Sequence, residues 1–154
     1  MSTHARTLNP SSATSVAALV HAAIALAAVA WNGFGVAKFV ETLRSTPATL
    51  AEMGMTAEQA AVYTSYPAWM NIAFAVGVFG GLGGSLLLLA RRRGSVPVFA
   101  ASLAGYVVLY VGDITEGVFA TLGAPQVIVL TVIVAIAAAL LGWSHHLARR
   151  RCLR

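Results

Sequence analysis

The chain has 154 residues, 58% of them hydrophobic and only 10% charged, with a mean hydropathy of +0.80. Soluble domains carry roughly 25% charged residues, so a chain this poor in charge cannot cover a water-facing surface, and an integral membrane protein is the class that remains. The net charge of +5 does not point to nucleic acid, because its arginines sit between and after apolar runs rather than along one polar face.

Residues 1–14 are mostly polar, include Asn9-Pro10, and read as a mobile N-terminal segment. Ser15 is a plausible N-cap for the first apolar run, Val16 to about Val40, which carries His21, Trp31 and Asn32. Within it, Ala28-Val29-Ala30 resembles a signal-peptidase site. The apolar run continues past it through Trp31 and Phe34, and the segment is read as an uncleaved helix.

The stretch from Glu41 to Tyr66 is the one long loop, and its signals predict two short helices. Thr46-Pro47 is an N-cap followed by proline at the first helical position, and Gly54 is a stop. Thr56-Ala57-Glu58-Gln59 is a capping box, with Gln59 reaching back to Thr56. Leu43, Leu50, Met53 and Met55 are expected to face headgroups or the bundle, and Tyr63, Tyr66 and Trp69 to mark the interface.

The second run, Pro67 to Ala90, contains Gly77, Gly81 and Ser85 at i, i+4 and i+8, with Gly80 and Gly84 forming a second such pair. Small residues at this spacing let helices approach closely in lipid, so these five are read as packing positions, within the chain or between chains. The third run, Val96 to about Phe119, ends in Asp113 and Glu116. Gly123-Ala124-Pro125 predicts a tight turn into the fourth run, Gln126 to Trp143, which has no ionisable group before His145. Residues 149–154 form a basic tail, leaving a four-helix domain over 15–148. Each run reaches the roughly 20 residues that cross a bilayer core, and none alternates as barrel strands do.

Arg6, Arg91, Arg92, Arg93, Arg149, Arg150, Arg151 and Arg154 fall on one side of such a four-span chain, against Lys38 and Arg44 on the other. The positive-inside rule then places both termini in the cytoplasm. All five acids, Glu41, Glu52, Glu58, Asp113 and Glu116, fall on the opposite, outward side.

Asp113 lies about 25 Å along a helix counted from Val96 and Glu116 about 30 Å, which puts Asp113 just inside the apolar core and Glu116 at its edge. Three residues apart, both should face one side of that helix. An acid at this depth faces the bundle and needs a partner. The candidates of similar depth define an expected outward-facing polar site of Asn32, Asn71, Asp113 and Glu116, with Lys38 as counter-ion and Tyr66 and Trp69 as its lip. The competing expectation is a structural Lys38–Asp113 ion pair, with the asparagines as interhelical hydrogen bonds.

Cys152 is the only cysteine, so no internal disulfide forms, and no Cys/His spacing suits a metal. His21 and His145 are the one pair that haem ligation would call on, but His145 and His146 beside the arginine tail read as interface residues. No cofactor and no catalytic residue is assigned.

At Trp31-Asn32 with Gly35, Tyr66-Pro67-Ala68-Trp69, Gly80-Gly81 through Gly84-Ser85-Leu86-Leu87-Leu88-Leu89, and Val96-Pro97-Val98-Phe99, the chain resembles a family of small bacterial inner-membrane proteins of about four spans. Some of these carry a "sugar transporter" label. A looser likeness, of architecture alone, is to the DoxX-like group. The expectation is an all-α four-helix bundle in the bacterial inner membrane, working as a transporter-like or transport-accessory protein. Its expected partners are the lipid bilayer and a second copy of the chain. The alternatives are a subunit binding another membrane protein through the glycines of the second span, and an enzyme associated with lipid or quinone.

Overall fold

The computed structural model describes residues 10–154, with side chains from Val16 onward. Residues 1–9, which hold Arg6 and most of the expected mobile segment, lie outside the described residues. Among the described residues the chain forms helices and no strands: α1 (Pro10–Arg44), α2 (Pro47–Glu52), α3 (Ala57–Thr64), α4 (Ala68–Leu89), α5 (Ser95–Thr115), α6 (Val118–Leu122) and α7 (Ala124–Arg149).

Helices α1, α4, α5 and α7 are each long and apolar enough to cross a membrane, and the protein is a multi-pass, all-α membrane bundle. Helix α1 begins before its expected cap, since Ser15 lies inside it, and runs unbroken through Ala28-Val29-Ala30 to Arg44.

The local signals in the long loop act as the sequence predicts. The Thr46 side chain accepts from the Thr49 amide, with Pro47 opening α2, and the Thr56 side chain accepts from the Gln59 amide as Gln59 bonds back. Gly54 separates the two helices at φ +86, a left-handed conformation that glycine adopts without strain. Leu50 turns inward and is buried, whereas Leu43 and Met53 are exposed.

The third span is shorter than its apolar run. α5 stops at Thr115, Glu116 forms its C-cap, and Gly117 at φ +71 turns the chain into α6. Asp113 and Glu116 therefore do not share a helix face, a correction to the i, i+3 reading. Asp113 is fully buried, while Glu116 is exposed beyond the helix end.

The spans pack in a row, α1 on α4, α4 on α5 and α5 on α7. The seam between α4 and α5 is the closest, and it is built on glycine. Gly77 lies under the Tyr106 ring, Gly84 under Phe99, and Gly80 against Ser102. Gly105 meets the backbone of Ala73 and Gly77 directly. Gly81 faces Asn32 of α1. The glycine face of the second span is therefore occupied within the chain, which corrects its reading as the docking face for a second protein.

Polar clasps cross the same seams. Ser102 Oγ donates to the Gly77 carbonyl at 2.6 Å, and the Ser95 and Ser144 hydroxyls meet at 2.6 Å between α5 and α7. Burial of these hydroxyls is tolerated because each has a partner.

The arginine-rich end is closed by Ala25, Leu88, Phe99 and Leu153, which form one buried cluster. The basic tail is docked there. Arg154 N donates to Arg91 O at 2.7 Å, and Arg93 N donates to Arg154 O at 2.8 Å. His21 donates from Nε2 to the Leu88 carbonyl at 3.1 Å, and His145 is exposed. Around the bundle Ile72, Val76 and Phe79 of α4 and Val107, Val108, Val111 and Ile114 of α5 are exposed, an apolar girdle of the kind acyl chains cover.

Candidate functional site

Because the row does not close, its two end helices flank a cavity of about 430 Å³ at the end of the bundle away from the arginines. This volume lies within the range of small-molecule sites, roughly 300–1,000 Å³. One wall is α1, through Trp31, Asn32, Phe34, Gly35, Lys38 and Thr42; the opposite wall is α7, from Gln126 to Ile133. Phe74 and Val78 of α4 with Tyr106 and Leu109 of α5 make the floor.

The polar end is set by three local structures. Asp113 sits two residues before the end of α5 and is 0% exposed. The turn at Gly123, with φ +73, and Pro125 near the start of α7 bring Gln126 opposite it. Gln126 Nε2 donates to Asp113 Oδ2 at 2.8 Å, while Asp113 Oδ1 is buried without a partner among the described residues. The third is the segment between α3 and α4, where Tyr66 packs on Tyr63 with ring centroids 5.7 Å apart. The Tyr66 hydroxyl, like Asp113 Oδ1, is buried and has no partner among the described residues. Burial, then the nearby Asp113 carboxyl, then Tyr63, hold the Tyr66 phenol above its ordinary pKa. The Tyr63 hydroxyl meets Thr42 Oγ1 at 3.0 Å, tying α3 to the end of α1.

Of the seven residues expected to form the site, Asn32, Lys38, Tyr66 and Asp113 line this cavity, and Trp69, Asn71 and Glu116 do not. Trp69 lies against Gly112 on the far side of α5 and is 42% exposed. Asn71, one turn into α4, is only partly buried.

Lys38 is not the counter-ion of Asp113. Its ammonium pairs with Glu41 at 2.7 Å, both side chains about half exposed, because an i, i+3 partner on the same helix is within reach where water and headgroups solvate both. Asn32 donates to the Ala28 carbonyl at 2.9 Å and to Ser85 Oγ at 3.1 Å, and Ser85 in turn donates to the Gly81 carbonyl. It is an interhelical clasp in the α1 wall, not a partner of the acid. Gln126, Tyr63, Thr42 and the aromatic walls were missed. Gln126 was the detectable one, a polar side chain opening an apolar span at the same depth as Asp113.

The exposure of its two rims decides how the cavity communicates. Trp31 and Phe34 on α1 are 40% and 58% exposed, and Ile128, Val129 and Val132 on α7 are 61%, 55% and 45% exposed. The two rims are thus apolar and uncovered, on the flank that lies in the bilayer. Comparison with family models, curated proteins and solved structures gives no match to this chain. What the chain itself defines is a small multi-pass membrane protein with a ligand-sized cavity between its first and last spans.

Proposed function

We propose that this protein binds an amphipathic, lipid-soluble molecule, taken sideways from the bilayer between α1 and α7, and serves as a carrier or transport-accessory protein. The observation that carries this reading is the pairing of uncovered apolar rims with an inner end that holds two buried, unpartnered polar atoms, Asp113 Oδ1 and Tyr66 Oη. Buried polar groups cost free energy until something bonds them, and a guest with a polar head and an apolar body meets both needs. Apolar walls of this kind suit a lipid-soluble body better than a free sugar.

In the bacterial inner membrane the positive-inside rule puts the arginine-rich end in the cytoplasm, so the cavity opens at the level of the outer leaflet. The cytoplasmic end is filled by the cluster around Leu153. Moving a guest across therefore requires a second copy or a partner to complete the path.

The test uses protein purified in a non-ionic detergent and the neutral solvatochromic dye Nile red. The expected result is saturable binding of one dye per chain, lost in Val129→Trp, which places a large ring in the mouth. Absence of saturable binding, or equal binding by a folded Val129→Trp, overturns the reading.

A further inference from the structure

From the charges and aromatic rings of the cavity, and resting on the binding role just proposed, we infer that the guest's polar end is a cation: the site takes a lipophilic amine or other organic cation. The charged side chains lining the cavity are Lys38 and Asp113. The Lys38 charge is already matched by Glu41 at 2.7 Å. Among the described residues no basic side chain pairs with Asp113, whose only hydrogen-bond partner is the neutral amide of Gln126. The cavity therefore holds one acidic group without a counter-charge, fully buried at the end of a membrane span. A carboxylate in such a place is costly unless a cation or strong donors satisfy it. Gln126 occupies Oδ2 and so leaves Oδ1 as the free acceptor.

The walls agree with this charge. Trp31, Phe34, Tyr63, Tyr66, Phe74 and Tyr106 all border the space, and aromatic faces attract organic cations within about 6 Å, most strongly where water is excluded. One such contact already exists at the mouth, where the Lys38 ammonium lies 5.7 Å from the Phe34 ring centroid. Anionic lipid headgroups are disfavoured by the same acid, and a neutral guest supplies it with no counter-charge. Gln126 acts as a positioning residue that holds the carboxyl in place.

The experiment compares two probes of the same shape and opposite charge, tetraphenylphosphonium and tetraphenylborate, as competitors of bound Nile red, each corrected for partition into empty micelles. Wild-type protein should release the dye at least about tenfold more readily to the cation, a difference of about 1.4 kcal/mol. Asp113→Asn should lose that preference, read as the ratio of displacement by the cation to displacement by the anion, and Asp113→Glu should keep it. Equal displacement by both ions in the wild type, or preference for the anion, overturns the inference even if Asp113→Asn fails to fold. Unchanged cation preference in a folded Asp113→Asn overturns it too. If Nile red binds but shows no charge preference, the lipid-soluble guest stands and its cationic head falls. If Nile red does not bind, both fall.

Discussion

Replacing Gly105 by alanine tests the close seam that gives the bundle its shape. A β-carbon built at Gly105 falls 2.7 Å from the Ala73 carbonyl oxygen and 2.8 Å from the Gly77 nitrogen. Both are backbone atoms of α4, so no side chain can swing away. Raising the nearest contact from 2.7 to an ordinary 3.4 Å requires α4 and α5 to part by about 0.7 Å. The same movement stretches the 2.6 Å bond from Ser102 to the Gly77 carbonyl and lifts Tyr106 from Gly77. Overpacking of this sort costs about 1–3 kcal/mol, against a gain in helix propensity of at most about 1 kcal/mol. Because the opposing atoms are backbone and cannot yield, the cost falls in the upper part of that range, and the net loss should be about 1–2 kcal/mol, or roughly 2–8 °C in Tm for a chain of this size. Thermal unfolding in detergent, followed by circular dichroism, reads it. Gly33→Ala is the control: no atom lies within 4 Å of its added carbon, so it should be neutral or slightly stabilising. A Gly105→Ala protein as stable as the wild type, or two alanine variants that behave alike, would refute the argument that backbone contact at this glycine sets the spacing of the spans.

Ser95 and Ser144, both fully buried with their hydroxyls 2.6 Å apart, should show coupling in a double-alanine cycle. Each single change strands a buried hydroxyl, and the pair together should cost less than the sum by about 0.6–1.7 kcal/mol; additive losses in the same detergent assay would remove the clasp. Tyr66→Phe deletes an unpartnered buried hydroxyl and should leave stability at neutral pH unchanged or slightly higher. Because the Tyr66 phenol is raised above its ordinary 10.0, the folded protein keeps a proton that the unfolded chain releases, so wild-type stability falls as pH climbs above that value. The fall should be shallower in Tyr66→Phe, and identical pH slopes would contradict this. Cys152 is exposed at the arginine-rich end, so a membrane-impermeant maleimide should label it in inside-out vesicles and not in right-side-out ones; the opposite pattern reverses the proposed orientation.

Much of the fold was legible because it is written locally. Four apolar runs, the capping threonines Thr46 and Thr56, the left-handed glycines Gly54 and Gly123, and Pro125 near the start of α7 each act through residues within a turn or two of themselves. The depth of Asp113 was also readable, since counting along one helix gives a position across the membrane. Its neighbours were not. Depth places a residue at a level but leaves its direction around the helix axis open, and direction is set by which helices touch. Trp69 and Asn71 were at the right level and faced elsewhere, whereas Gln126 and Tyr63 were brought in by α7 and α3. Lys38 found a partner three residues along its own helix before it could reach across the bundle.

The amino-acid sequence by itself determined that the chain lives in a membrane, that it has four apolar helices with two short ones in the long loop, and that an acid is buried near one end, because hydropathy, capping and helical rise are short-range properties. Only the tertiary structure decided that the glycine seams of α4 would be used up inside the chain and that α1 and α7 would flank an open cavity instead of sealing the bundle. The physical reason is that packing in lipid selects the closest fit of surfaces: backbones that touch at Gly105 and Gly77 hold α4 and α5 together, and the bulkier faces of α1 and α7 are left to enclose space.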